Sequence, residues 1–181
     1  MTLLRDEGLT AEELAVWRML QRAQVRITRR LEAELLVAHD LPLASYEVLA
    51  QLAEAAGRRL RMNDLADRVL LSRSGLTRLI DRLQRDGLVT REACADDARG
   101  LYAVLTDGGA ARLAEATPTY LRGIRTQFLD MLGSGEISRI RTMLARLDPP
   151  SGLPDGLPDG LPDGLAGSLP SDPSGGPGGA P

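Results

Sequence analysis

Two short apolar stripes of helical period, with very little chain between them, constrain the fold more than any other feature. In LADRVLLSRSGLTRLIDRLQRDGLV, residues 65–89, the first stripe is Leu65, Ala66, Val69 and Leu70, and the second is Leu76, Leu79, Ile80 and Leu83. The spacing predicts a helix over 62–70 and a tight turn at Leu71-Ser72 with Ser72 as N-cap. A second helix is predicted over 73–86, stopped by Gly87. Two helices joined by about three residues have the form of a helix-turn-helix. The outer face of the second helix gathers Ser74, Thr77, Arg78, Asp81 and Arg85, with Arg73 and Arg82 at its flanks. That face is either an Arg-rich solvated surface or one that meets a polyanion.

The segments on either side narrow the choice. LVTRE (88–92) and LYAVLT (101–106) are β-prone, with Tyr102 and Val104 on one face and Ala103 and Leu105 on the other. Between them ACADDARG (93–100) predicts a long exposed loop, so the pair reads as a hairpin. A hairpin directly after a helix-turn-helix is a wing. Upstream, Thr10-Ala-Glu-Glu13 matches a capping box, and Trp17, Leu20, Gln24, Ile27, Leu31 and Leu35 continue a helical period to about residue 39. Pro42 stops that helix, and another is expected over about 44–55, with Tyr46, Leu49 and Leu52 inward. Downstream, Thr106-Asp107 opens a helix to about Leu132 with Pro118 inside it, where a kink or an irregular turn is expected. Ile137, Ile140, Leu144 and Leu147 then mark a final helix.

The expected fold is therefore mainly α: six helices and a two-stranded wing. The expected organisation is a dimerisation helix over 10–40, a winged helix-turn-helix over 43–106 and C-terminal dimerisation helices over 107–147. The apolar stripes of the terminal helices have little core of their own to cover, which points to a two-fold homodimer. Residues 148–181 repeat Gly-Leu-Pro-Asp three times and are otherwise rich in Pro and Gly. They are expected to form a disordered tail.

Charge follows the same division. The formal net charge is −3, but five Asp and no Arg lie from Asp148 onward, leaving 22 basic and 20 acidic residues in 1–147. Between Arg58 and Arg112 there are 11 Arg against 8 acidic residues. Every basic residue is Arg, which weakens any argument from Arg enrichment alone. No apolar run is long enough to span a membrane, and no signal peptide is visible. The one cysteine, Cys94, has no partner for an internal disulfide. These features lead to the expectation of a soluble, cytoplasmic protein.

A helix that buries one side and presents Ser, Thr and Arg on the other suits the major groove of B-DNA, which admits one α-helix. Ser74, Thr77 and Arg78 occupy its N-terminal half, where recognition helices meet base edges. Arg73, Arg82 and Arg85 read as phosphate contacts. Arg99, near the hairpin tip, suits a minor groove, and a carboxylate beside it can fix its direction; the plainer alternative is a solvated turn with a local ion pair.

At this point LRMNDLADRVLLSRSGLTRLIDRLQRDGLVTRE and DDARGLYAVLTDGG resemble the winged helix of MarR-family transcriptional regulators. The resemblance covers roughly 10–147; the tail has no counterpart. It implies a homodimer on a pseudo-palindromic double-stranded operator, in many members a repressor released by a small ligand. It places Ser72–Arg82 in the recognition helix, Asp97 and Arg99 in a wing D-x-R motif, and Arg61 and Asn63 at backbone phosphates. The site carried forward is Ser72, Arg73, Ser74, Thr77, Arg78 and Arg82, with Asp97 and Arg99, and with Arg61, Asn63 and Arg85 on phosphates. No cofactor is expected. A small anionic or aromatic effector, unidentified, is the ligand class left open, with Trp17, Arg26 and Arg30 as candidate pocket residues; Trp17 reads equally as a dimer-interface anchor.

Other chemistry lacks its residues. One Cys and one His, Cys94 and His39, exclude a zinc-type ligand cluster. Cys94 lies in the wing and reads as an incidental thiol, since redox-sensing relatives place that residue near the first helix. No nucleophile triad or phosphate-binding Gly-rich loop is present, so no catalytic residue is assigned and an enzyme is not expected. The alternative of another class is a winged-helix module that binds protein instead of DNA, which would show an apolar outer face on the 73–86 helix.

Overall fold

The computed structural model describes residues 8–94, 97–133 and 135–147. The expected disordered tail, 148–181, and residues 95–96 of the expected loop lie outside the described residues. Six α-helices and a three-stranded antiparallel sheet follow in the order α1 (Ala11–His39), α2 (Leu43–Glu54), β1 (Arg59–Arg61), α3 (Met62–Arg68), α4 (Arg73–Arg85), β2 (Val89–Cys94), β3 (Asp97–Leu105), α5 (Asp107–Gln127) and α6 (Glu136–Leu147). The described residues up to 133 form one compact unit, and α6 belongs to a second.

Local chemistry sets the ends of these elements. Thr10 caps α1 through the expected box: Glu13 N donates to Thr10 Oγ1 at 3.2 Å, and Thr10 N donates to the Glu13 carboxylate at 2.6 Å. Asp40, in the left-handed region at φ 45°, ends α1, and Pro42 sits at the N-cap of α2. Helix α4 ends in a Schellman motif, with Gly87 at φ 73° and Leu88 N donating to Leu83 O at 2.9 Å. The same motif ends α3, with Leu71 N donating to Ala66 O at 3.0 Å, but there the left-handed position is Leu70 at φ 52°. The expected helix over 62–70 therefore stops at Arg68. Leu70 leaves the apolar stripe and is 91% exposed, because the chain needs a left-handed residue to turn into α4. A non-glycine residue there costs roughly 1–2 kcal/mol.

The sheet differs from the expected two-stranded wing. Its order is β1-β3-β2, and the added strand pairs Arg59 with Val104 and Arg61 with Tyr102. Pairing of β2 with β3 also runs further than the expected loop over 93–100 allows. It shifts register between Ala93 and Cys94 and resumes at Cys94 with Asp97. Alternation along β3 is as expected, with Ala103 and Leu105 buried and Tyr102 and Val104 half-buried. Pro118 is exposed, and α5 runs unbroken through it to Gln127, so the irregular turn comes instead at Leu129–Met131 as a 3-10 turn.

The core lies where α2, α3, α4, the sheet and the C-terminal half of α1 converge. Leu35, Leu49, Leu52, Leu65 and Ile80 are fully buried in it. The N-terminal half of α1 lies outside it: Val16, Trp17, Met19 and Leu20 are exposed. Helix α5 joins the core through its start. Thr106 Oγ1 accepts from Gly109 N at 2.9 Å and donates to Gly87 O at 2.8 Å, seating α5 on the turn after α4. Where α2 meets α5, the rings of Tyr46 and Tyr120 lie 4.3 Å apart. Beside them burial raises the Glu47 carboxyl above the ordinary range, and the Glu32 charge raises it further.

Two outcomes test this packing. A Cβ at Gly109 would press into the Leu88 backbone carbonyl oxygen and stand 2.7 Å from Leu105 Cδ1. Because backbone cannot step aside, Gly109→Ala is expected to cost about 1–3 kcal/mol in urea unfolding; an unchanged midpoint refutes the contact. The raised Glu47 pKa means that the folded state holds this proton more tightly than the unfolded chain. The stabilisation is complete below the unfolded value and is lost as pH rises through the folded one. Glu47→Gln should therefore raise the urea midpoint at pH 7 relative to wild type, with the gap closing near about pH 4. A gap independent of pH refutes the assignment.

Candidate nucleic-acid interface

Helix α4 is two-sided. Leu76, Leu79, Ile80 and Leu83 are buried, while Arg73, Ser74, Thr77, Arg78, Asp81, Arg82 and Arg85 are exposed. Its first turn is closed by Ser72, whose Oγ accepts from Gly75 N at 3.1 Å and lies 3.3 Å from Ser74 Oγ. Thr77 Oγ1 donates to Arg73 O at 2.8 Å, so its hydroxyl oxygen still has lone pairs to offer outward. Arg73, Ser74, Thr77 and Arg78 thus share the exposed N-terminal half of one helix.

The structure brings several of the other candidates to this helix. Arg61, the N-cap of α3, and Asn63, in its first turn, line a cleft of about 600 Å³ with Thr77, Asp81, Arg91, Gly100 and Leu101. Arg61 and Arg59 also stand over the Tyr102 ring, 5.8 and 4.9 Å from its centre, and Arg59 pairs with Glu92 at 3.6 Å. Asp97 and Arg99 lie in the first three residues of β3, at the tip of the hairpin; their side chains, like that of Cys94, lie outside the described residues. Arg85 is exposed in the last turn of α4.

Two candidates are placed differently from the rest. Arg82 donates to Ser45 Oγ at 3.2 Å, and Ser45 is 1% exposed. Its guanidinium is drawn toward α2, away from Thr77. Of the candidate ligand residues, Arg26 and Arg30 share an open cleft along α1 with Arg18, Arg22, Arg29 and Val25. Trp17 does not line it. Nine residues separate Trp17 from Arg26, about two and a half helical turns, which sets the two on opposite sides of α1. Arg30 also donates to Gln127 Oε1 at 2.8 Å. His39 Nε2 lies 2.9 Å from Thr119 Oγ1, and its carbonyl accepts from Arg112.

The sequence reading gave no role to Arg91. From β2 it reaches across to α4, with Nη2 2.6 Å from Asp81 Oδ1 and Nη1 donating to Gln84 Oε1 at 2.8 Å. Alternation carries the missed signal: Val89 and Arg91 are two apart, so a buried Val89 puts Arg91 on the face turned toward α4. Arg59 was missed with the strand that carries it.

No helix among the described residues is long and apolar enough to cross a membrane, and none of them form a cluster of metal-ligand type. The exposed half of α4, the Arg61–Asn63 corner and the hairpin make a polar, cation-bearing surface. Comparisons with known proteins agree with that shape. A sequence profile of the MarR family matches residues 39–100. The transcriptional repressor YetL of Bacillus subtilis is 34% identical over 79 residues, which span 44% of this chain and 47% of that protein. AbsC, a MarR family transcriptional regulator from Streptomyces coelicolor, superposes with a TM-score of 0.73 at 33% identity, covering 78% of this chain and 95% of AbsC. Sco3205, a MarR family regulator from the same organism solved in complex with DNA, gives 0.72 at 34% identity over 80% of this chain and 92% of its own. With a third of its residues shared over nearly the whole length of two solved regulators, and with their fold, the chain belongs to the MarR family of transcriptional regulators, not to a family of enzymes.

Proposed function

We propose that the protein is a sequence-specific double-stranded DNA-binding repressor. It acts as a homodimer on a pseudo-palindromic operator and is released by a small effector. One observation carries the reading: α4 buries four apolar side chains and leaves an exposed half of Ser74, Thr77 and Arg78 beside the Arg61–Asn63 corner. The helix exposes no large apolar side chain, which favours DNA over a protein partner for this face. A solved relative in complex with DNA, at 34% identity, supports the same choice.

In this reading the winged helix-turn-helix spans 43–106. Thr77 and Arg78 meet base edges with Ser74. Ser72, Arg73, Arg85, Arg61 and Asn63 hold phosphates, and Asp97 and Arg99 carry the wing to the minor groove. Arg82 belongs to the same set, but its bond to Ser45 gives it the further role of fixing the C-terminal half of α4. The helices over 10–40 and 107–147 supply the dimer contact. The exposed Val16, Trp17, Met19 and Leu20 of α1, and the exposed Ile137, Leu144 and Leu147 of α6, are apolar faces that a second copy would cover. Repression is steric, by exclusion of polymerase from a promoter that overlaps the operator. The similarity to YetL, a repressor, supports that sign. An anionic effector held at Arg26 and Arg30 would shift the spacing of the two winged domains. A coupling of about 1–3 kcal/mol suffices for a 5–150-fold response.

The test is fluorescence anisotropy of the full chain on a duplex from upstream of its own gene, against a scrambled duplex, from low to physiological salt. Preferential binding with two chains per duplex that survives physiological salt supports the reading. Equal loss on both duplexes, followed by failure of a genome-wide selection to enrich any fragment, refutes it. Arg78→Ala is expected to weaken operator binding by about 1–3 kcal/mol and to relax base preference at one position in each half-site. Arg99→Ala should weaken binding at the outer, wing-contacted positions. Wild-type binding by both variants overturns the site assignment.

A further inference from the structure

Resting on the DNA reading above, we propose that Arg91 is the positioning residue that locks the recognition helix to the wing sheet, so that operator preference depends on it. One guanidinium reaches three acceptors on α4. Besides Asp81 Oδ1 and Gln84 Oε1, Arg91 Nη2 donates to the backbone carbonyl of Thr77 at 3.3 Å. Thr77, Asp81 and Gln84 stand at positions i, i+4 and i+7 of α4, which is one stripe along the helix. A planar fork with five donors can span three acceptors at once, where an ammonium group acts as a point charge.

The other end of Arg91 is fixed as firmly. Its backbone pairs with Ala103 of β3, in the middle of the sheet, and Ala103 is fully buried. Arg91 therefore ties a fixed point of the sheet to three points along α4. That controls both the rotation of the helix about its axis and its shift along it. Thr77 belongs to this stripe and is also a proposed base-reading residue. A small turn of α4 would move the Thr77 and Arg78 side chains off their base edges while leaving the cationic surface intact.

Charge gives the pair a second consequence. Asp81 is a carboxylate on the exposed side of the helix, with its side chain 52% exposed, while the Arg91 side chain is only 22% exposed. Unpaired, that carboxylate would face the phosphates. Paired, it is neutralised by a cation that is itself largely withdrawn behind it. Arg91 thus acts on DNA through Asp81 and Thr77 and not by touching it.

Anisotropy on the preferred and scrambled duplexes, with the full chain and its variants Arg91→Met, Arg91→Lys and Asp81→Asn, separates this from a simple charge effect. The clamp requires each variant to lower the ratio of preferred to scrambled affinity by about tenfold, a coupling of ordinary size for a paired site. Affinity for the scrambled duplex should change by less than about threefold. Arg91→Lys keeps the charge but not the fork, so it should not restore the ratio. Asp81→Asn is the decisive variant, because removing a negative charge should tighten binding to both duplexes if charge alone matters. Equal tightening overturns the clamp. So does an equal weakening of both duplexes by Arg91→Met with a salt slope shallower by about one, the mark of a direct phosphate contact. Thermal melts identify any variant that has lost its fold; Asp81→Asn, altering an exposed side chain, then carries the test. A wild-type chain with no preference for any duplex refutes the DNA reading itself, an outcome distinct from variants that match a wild type that does prefer one.

Discussion

Everything on the exposed side of α4 depends on what is buried on its other side. A helix of 13 residues has no stable orientation of its own. Leu76, Ile80 and Leu83 each retain at most 1% of their surface, and they sit at i, i+4 and i+7, one stripe of the helix. Burying three such side chains is worth several kcal/mol at about 1.5–3 kcal/mol each, far more than any exposed polar contact in the molecule. This burial fixes the rotation of α4 to within the tolerance of close packing. The polar contacts then set the residual angle: Arg91 from the sheet on one side, and Arg82 to Ser45 of α2 on the other. Each is a modest contributor to stability. Their weight lies in direction, because Thr77 and Asp81 share one stripe of α4 and turn together with the helix.

The division between what the sequence shows and what it hides follows from the range of the interactions involved. Helices α1, α2, α4 and α6 are legible because their apolar residues recur at helical spacing and their ends carry caps: Thr10, Ser72 and Gly87. The end of α3 is hidden because the left-handed position is filled by Leu70, a residue that gives no turn signal. There a tertiary demand, the reversal into α4, overrides local preference. Strand β1 is hidden for a different reason. Arg-Leu-Arg has one apolar residue and no neighbouring alternation, and it becomes a strand only because β3 offers an unpaired edge. The two sides of α4, apolar inward and Ser, Thr and Arg outward, are legible in the sequence. The Arg91 link is not, since its partners lie seven, ten and fourteen residues away on another element. A wing residue on the core side of its strand is the trace such a link leaves in the sequence.

Cations alone would have been a poor guide. Arg is the chain's basic side chain apart from His39; it occurs in every α-helix except α2 and in all three strands, and its partners divide it into roles. Arg82, Arg91 and Arg112 are spent on Ser45, on the α4 stripe and on the His39 carbonyl. Arg58 pairs with Asp107 at 3.3 Å across exposed surface, where such a pair adds little. Ser, Thr and Arg together on one exposed half-helix, and not Arg abundance, set this face of α4 apart.

The placement of α2 links the long helices α1 and α5 to α4. Its Tyr46 ring meets Tyr120 of α5, and the Tyr46 hydroxyl donates to Thr117 Oγ1 at 3.3 Å. One residue earlier, Ser45 accepts from Arg82 of α4. At its first turn, Leu43 N donates to the Glu32 carboxylate of α1 at 2.5 Å. Helix α2 is thus held by α1, α5 and α4 through adjacent residues on one short stretch. A displacement of α5 against α1 cannot leave α2 in place without breaking one of these contacts, and a moved α2 pulls on Arg82 and with it the C-terminal half of α4. Because the interior is close-packed, strain at one of these contacts is passed on to the others. The seat of α2 on α1 and α5 and the bond from Arg82 to Ser45 are therefore set together.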